Sequence, residues 1–412
     1  MSANACRFCG APLSHSFCDL GMSPLSNANL RADQLNAAEK FYPLHAYVCD
    51  RCWLVQLPDH ETPENIFARD YAYFSSYSDT WLAHARAYVE EMIARFGYGA
   101  HSHVVEIASN DGYLLQYFQR RGVPVTGIEP APNCARVAQD KGIPTEVRFF
   151  GVAAARELAA QGRCADLLLG NNVLAHVPDL NDFVAGLPLL LKPGGVVTME
   201  FPHLLRLIEG NQFDTIYQEH YSYLSLLTVE RVFARHGLVL FDVQELPTHG
   251  GSLRIFARHA ADASRPVGAA VQTLRRAELA AGLADTAAYA AFADRVCRTR
   301  YALLEFLIAA RRQGKTVWGY GAPAKGNTLL NYCGIRGDLL AATVDRSPHK
   351  QGLFLPGTHI PILAPEAVAA ARPDYLLILP WNLRDEITGQ MAYIRQWGGR
   401  FVVPIPEVEV LP

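Results

Sequence analysis

The chain reads as an α/β protein on a doubly wound parallel sheet, flanked by a small cysteine-rich module and a second α/β unit. Three observations predict this. Apolar strand-like runs alternate with helical runs between residues 104 and 201, the βαβ pattern of a parallel sheet covered on both faces. A second strand–turn–helix start opens at Thr316. Two Cys-x-x-Cys pairs stand before the first α/β unit. At 412 residues the chain exceeds one typical core, and it divides at 1–70, 71–262 and 263–412.

Composition narrows the class. Half the residues are hydrophobic and 19% are charged, ordinary for a globular protein. A net charge of −3 gives no electrostatic case for nucleic acid or an anionic membrane as partner. No apolar run approaches the ~20 residues of a membrane span, and no basic segment precedes an apolar leader. The cytoplasm is the expected location, a monomer suffices, and the nine cysteines read as thiols or metal ligands.

In chain order, Cys6-x-x-Cys9 and Cys49-x-x-Cys52 come first. Each pair can fold as a knuckle aiming two thiolates at one cation, and two knuckles complete a closed tetrahedral zinc site. Residues 10–48 between them are longer than the usual ribbon spacing, so redox dithiols or unrelated cysteines remain competing readings. Four sulfur ligands leave no open position, so this zinc is structural. Cys18 has no neighbour at ligand spacing. Residues 60–80 are rich in phenols and hydroxyls (Tyr71, Tyr73, Ser75, Ser76, Tyr77, Ser78), as a domain-joining loop or as a lid on a polar ligand. Trp81–Phe96 carries helical periodicity.

Val104–Tyr113 is a strand turning tightly into a helix, with Glu106, Ala108, Asn110, Asp111 and Gly112 around the turn. Gly112 permits a turn conformation or close ligand approach. The next strand, Val123–Ile128, ends in Glu129, where a carboxylate can accept both hydroxyls of a ribose. Ala108 and Asn110 stand where G-x-G-x-x-G has its first two glycines. That suits a nucleoside without phosphate, such as S-adenosylmethionine, better than a pyrophosphate; an ordinary α/β turn is the alternative. Helices over 133–141, 153–161 and 180–191 alternate with strands at 145–147, 165–169 and 196–201. Asn171, Asn172 and His176 fall at the carboxyl end of the fourth strand, where such sheets bind ligands.

Residues 213–223 bring Tyr217, Glu219 and His220 together, and a neutral-pH base is available in the imidazole. A polar surface turn is the competing reading. A helix over 225–237 and two strands joined by a hairpin-like His249-Gly250-Gly251 turn close the unit. After a helical stretch over 266–313, Thr316–Tyr320 leads into Gly321 and a helix bearing Lys325 and Asn327, and Leu339–Val344 ends in Asp345. A lone G-x-G is weak support for NAD, whereas Lys325 at a helix start suits a phosphate. Tyr375–Trp381 followed by Asn382 repeats the strand-then-polar pattern.

Together these residues resemble the sugar C-methyltransferase family acting on nucleotide-linked 4-keto-6-deoxy sugars. The resemblance runs nearly end to end, through the CxxC pairs, DYAYFSS, VVEIASNDG, NNVLAHV, IYQEHYSY, THGGSLR and WGYGAPAKGNTLLNYCGI. It implies a zinc module, a class I methyltransferase Rossmann-like domain binding S-adenosylmethionine, and a C-terminal domain helping to hold a dTDP- or GDP-linked sugar. It also implies that Tyr71, His176, Tyr217, Glu219 and His220 surround the sugar. The chemistry expected is C3 methylation through a base-generated enolate. His220 would be the base, Glu219 would fix it or bind a sugar hydroxyl, and His176 and Tyr217 would donate to the enolate oxygen. Lys325, Tyr71 and Ser75 are expected on the diphosphate, with Ser76, Asn327 and Asn382 as further substrate contacts. An O- or N-methyltransferase and a non-catalytic zinc-bearing binding protein are the other classes the residues allow.

Overall fold

A computed structural model describes residues 5–62 and 74–411. Strand β4 (Val104–Ile107) is buried along its whole length in a seven-stranded sheet, at the middle of its five parallel strands. On one side lie β5 (Val125–Ile128) and β6 (Thr145–Glu146), and on the other β7 (Ala165–Asn171) and β8 (Leu191–Pro202), all parallel. The hairpin β10 (Leu238–Leu246) and β11 (Ser252–His259) adds two antiparallel strands beyond β8. Successive side chains of a strand face opposite layers. Val104, Leu167 and Leu169 accordingly pack against the helix Asp79–Phe96, and Val105, Leu168 and Val197 against the helices Val152–Ala160 and Leu180–Leu190. Both layers are apolar, so the strands read as continuous hydrophobic runs. Strand order reverses between β4 and β7, which opens the crevice beyond their carboxyl ends.

The cysteine-rich module carries β1 (His15–Ser23), β2 (Tyr42–Val48) and β3 (Val55–Gln56). Its fourth strand, β9 (Ser222–Tyr223), is lent by the central domain two residues after His220. The C-terminal sheet runs β14 (Ile362–Leu363), β13 (Thr343–Val344), β12 (Val317–Tyr320), β15 (Tyr375–Ile378), β16 (Arg400–Val403), β17 (Glu409–Leu411), parallel except at its last strand. The expected strand over 339–344 is thus reduced to its last two residues, because a turn closes from Arg336 to Leu339.

The module and the C-terminal unit share one core. Phe17 of β1 stacks on Phe292 of the long helix Thr286–Arg312 at 4.6 Å, and the same cluster reaches Leu329 and Leu376. No helix among the described residues is long and apolar enough to cross a membrane.

Candidate active site

The turn after β4 places three alternate residues in the left-handed region: Ala108 (φ 57°), Asn110 (φ 50°) and Gly112 (φ 76°). These are the positions a glycine-rich turn would fill with glycine, so the geometry survives at Ala108 against a steric cost of roughly 1–2 kcal/mol. A Cβ at Gly112 would overlap the Ile143 side chain, so only glycine fits there. Glu129 closes the turn, accepting the amides of Asn110 and Ala131 at 2.8 Å each. Asn110 in turn accepts the Ser75 amide at 2.9 Å, and Lys141 reaches both Ser76 and Asp111. Ser75 and Ser76 thus sit against the 108–112 turn. Tyr71 lies outside the described residues.

Glu106 is fully buried under the turn; burial pushes its carboxyl well up, the Tyr113 hydroxyl opposes this, and Glu129 and Asp111 add to the rise. At the end of β7 both amide atoms of Asn171 are buried with no hydrogen-bond partner among the described residues, as is Oδ1 of Asp111. Such orphaned groups cost about 1–3 kcal/mol each unless a ligand satisfies them. The residues present therefore fit S-adenosylmethionine: Glu129 for ribose hydroxyls, and Asn171, Asp111 and the 108–112 backbone for its polar groups. Burial lifts the Glu129 carboxyl to about 7, against the two amides that hold it down. Only the ionised form accepts two hydroxyls. Cofactor affinity is therefore expected to weaken by up to about tenfold per pH unit below about 7, read by titration calorimetry, and Glu129→Gln should remove that dependence.

Beyond β7 the reactive groups converge on His220. Its Nδ1 lies 2.8 Å from the Thr215 carbonyl oxygen, which can only accept, so the proton sits on Nδ1. Nε2 then carries a lone pair and accepts the Tyr217 hydroxyl at 2.8 Å. His176 packs edge-on to His220 at 4.6 Å and donates to the Glu219 backbone carbonyl. Burial drives His220 well below the usual imidazole range, with His176, His249 and Lys325 pushing further down against the Thr215 carbonyl; burial takes His176 to about 4. Both imidazoles are neutral at pH 7.

Glu219 and Asn327 each hold a partner distant in sequence. The Glu219 carboxylate does not hold His220; it accepts Asn27 of the cysteine-rich module at 2.6 Å, and the Thr215 carbonyl orients the imidazole instead. Asn327 is buried and donates to the Ser26 carbonyl at 2.6 Å, tying the C-terminal domain to the module. Lys325 is held by Asn382 at 2.8 Å and lies 4.6 Å over the Trp381 ring. The Trp381 indole donates to buried Asp214, whose carboxyl burial lifts to about 6.

The sequence alone gives no site role to Asp214, Trp381 or the group His84, Glu200, Thr248, His249 and Arg254. Glu200, fully buried at the end of β8, meets His84 (3.0 Å), Arg254 (2.8 Å) and the Thr248 hydroxyl (3.1 Å). A carboxylate inside an apolar strand was the available signal. In the C-terminal unit, Asp345 accepts the amides of Ala322 and Ser347, so its carboxylate closes its own turn.

The four sulfurs of Cys6, Cys9, Cys49 and Cys52 lie within 4.8 Å of one another, with Cys6–Cys52 and Cys9–Cys49 at 3.5 Å. Zinc bonded to sulfur at about 2.3 Å in a tetrahedron needs sulfurs about 3.8 Å apart, so the cage fits zinc. Cys18 is buried in β1, outside this set.

Three family models match the chain: a zinc binding domain over residues 6–67, a methyltransferase domain over 81–243, and a C-methyltransferase C-terminal domain over 247–406. The C-methyltransferase NovU of Streptomyces niveus is 39% identical over 407 residues, covering 98% of this chain and 96% of its own. A ubiquinone biosynthesis O-methyltransferase of Methylobacterium nodulans is 34% identical over 97 residues, 23% of this chain and 38% of its own. Magnesium protoporphyrin IX methyltransferase of Synechocystis PCC 6803, solved with bound SAM, covers 43% of this chain and 78% of its own at 15% identity and a TM-score of 0.33.

Proposed function

The chain belongs to the C-methyltransferase family, and we propose that it methylates C3 of a nucleotide-linked 4-keto-6-deoxyhexose, carried by dTDP or GDP, through a base-generated enolate. The observation that carries this reading is the Tyr217–His220 pair: a buried, neutral imidazole whose proton is fixed on Nδ1 and whose Nε2 is left as a base. An O- or N-methyl acceptor already bears a lone pair. A carbon acceptor must first lose a proton, and a ketone at C4 makes the C3 proton acidic.

In this reading Nε2 of His220 takes the C3 proton. The C–H electron pair becomes the C3–C4 double bond and the C4 carbonyl pair moves onto oxygen. Glu129 and Asn171 would hold S-adenosylmethionine, which would supply an electrophilic methyl group to C3, the S–CH₃ bond breaking with its electron pair left on the sulfur as a neutral thioether. Tyr217 keeps Nε2 aimed until substrate displaces its hydroxyl, and His176 buttresses the ring. Glu219, anchored on Asn27, binds a sugar hydroxyl; Tyr71 and Ser75 border the substrate. Lys325 and Asn382 hold the diphosphate. Losing one hydrogen bond to a charged group costs about 1.5–3 kcal/mol, so Lys325→Ala is expected to raise KM for the sugar nucleotide roughly 10–100-fold. Unchanged affinity by calorimetry would remove Lys325 from the diphosphate site.

The deciding experiment is a mass-spectrometric screen of nucleotide 4-keto-6-deoxyhexoses with the methyl donor. The expected product has gained one CH₂ and shows a carbon-bonded methyl singlet by NMR. A methyl on oxygen or nitrogen would replace this reading with the O- or N-methyltransferase one.

A further inference from the structure

The mechanism needs a donor for the oxygen that becomes anionic, and before substrate enters the two groups expected there are hydrogen-bonded to other partners. The Tyr217 hydroxyl lies on Nε2 of His220 and His176 donates to the Glu219 carbonyl. One imidazole near the same carboxyl end of β7 has no role so far. His249 stands in the turn between β10 and β11 with φ 55°, a left-handed conformation unusual for a residue with a side chain. Left-handed non-glycine residues persist only where surrounding contacts over-determine them, and they gather at functional sites.

The contacts around His249 do over-determine it. Its Nε2 lies 3.0 Å from Nδ2 of Asn172, itself left-handed at φ 53° and four residues before His176. The preceding Thr248 is pinned by its hydroxyl to buried Glu200. The following Gly250 packs so closely on Trp381 that a Cβ would fall 2.6 Å from the indole. Trp381 is the ring under Lys325. On the other side His249 meets Trp81 at 5.1 Å, and Trp81 lies 6.0 Å from Tyr113 of the cofactor turn. His249 therefore stands where the cofactor turn, the end of β7 and the Lys325 cluster meet.

We infer that His249 is a catalytic residue of this reaction, donating a hydrogen bond from its imidazole to the C4 oxygen as charge collects there. The inference rests on the reading proposed above. No bond to His249 forms or breaks: the C3 proton goes to His220, the electron pair reaches the C4 oxygen, and the imidazole N–H keeps its proton while its hydrogen bond strengthens. Burial holds His249 at about 4, so it is neutral and does not compete with His220 for the proton. Asn172 and Thr248 are positioning residues acting through it.

The test follows C3 hydrogen–deuterium exchange of a dTDP-linked 4-keto-6-deoxyhexose in D₂O by NMR, beside methyl transfer, with wild type, His249→Ala and His249→Gln. Removing one oxyanion donor costs typically about 10²–10³ in rate. His249→Ala is expected to slow exchange and methyl transfer in parallel by that factor, with cofactor affinity unchanged. His249→Gln, which keeps an N–H, should recover at least about tenfold of the loss. Full exchange per folded molecule in His249→Ala, or a loss confined to cofactor affinity, overturns the inference. If His249→Ala does not fold, His249→Gln against Thr248→Val decides: the inference requires Thr248→Val, which lets the loop move, to be the slower in exchange. Wild type that neither exchanges nor methylates any such sugar sinks the proposed function itself, and the inference with it; wild type that does both while His249→Ala matches it sinks the inference alone.

Discussion

His220→Asn is expected to slow both C3 exchange and methyl transfer by about 10²–10⁴-fold, the usual worth of a positioned general base. Asparagine can still donate an N–H to the Thr215 carbonyl that now holds Nδ1, so the turn should fold, but no group remains with a basic lone pair in place of Nε2. The pH profile provides a second, independent check. His220 is driven well below the ordinary imidazole value by burial and by His176, His249 and Lys325. A base with a depressed pKa stays unprotonated as pH falls through ~6.5, so with the methyl donor saturating the acidic limb of kcat/KM for the sugar nucleotide should lie below that value. Tyr217→Phe removes the hydroxyl on Nε2, and should reduce the rate without abolishing exchange. Undiminished exchange in His220→Asn would move the base elsewhere, with His176 next in line at 4.6 Å.

Much of the central domain was legible in the sequence because its information is local. Parallel strands buried on both faces must be apolar along their length, and the helix expected at 133–141 forms at Pro132–Asp140. The tight turn after β4 was legible for a different reason: Gly112 marked a turn conformation, and its φ is 76°. Ala108 and Asn110 stand where a glycine-rich turn has glycines, and both adopt the glycine-like conformation. What could not be read depends on partners distant in sequence. Strand β9 is two residues long and exists because Val55 and Gln56 pair with it. Glu219 beside His220 looks like its orienter, but its partner Asn27 lies 192 residues earlier. His249 sits in a Thr-His-Gly-Gly turn that any hairpin might use, and its contact with Asn172 spans 77 residues. Asn327, polar and one turn into a helix, gives its side-chain N–H to the Ser26 carbonyl, 301 residues earlier, a bond the sequence does not show.

That pairing of β3 with β9 gives the zinc a consequence for chemistry it never touches. Gln56 of β3 pairs with Ser222, two residues after His220, and its side-chain amide reaches Sγ of Cys6 at 3.2 Å. The Cys52 carbonyl accepts the Thr228 hydroxyl, and Asn181 donates to the carbonyls of Arg7 and Phe8. The cysteine cage is thus bonded to the central domain on both sides of the Tyr217–His220 segment. Structural zinc supplies about 10–16 kcal/mol in small zinc peptides, enough to decide whether such a module folds. Displacement of a catalytic group by about 1 Å costs on the order of 10² in rate. Cys49→Ser, or chelation of the wild type, is therefore expected to cut methyl transfer and C3 exchange by at least about 100-fold and to lower Tm. S-adenosylmethionine affinity should change little, because Glu129 and the 108–112 turn take their support from β4, β5 and the helix Pro132–Asp140. One zinc per chain by elemental analysis, with activity restored on adding zinc back, completes the expectation. Zinc loss with undiminished exchange would mean that the turn holding His220 stands without the module, and that β9 only records its presence.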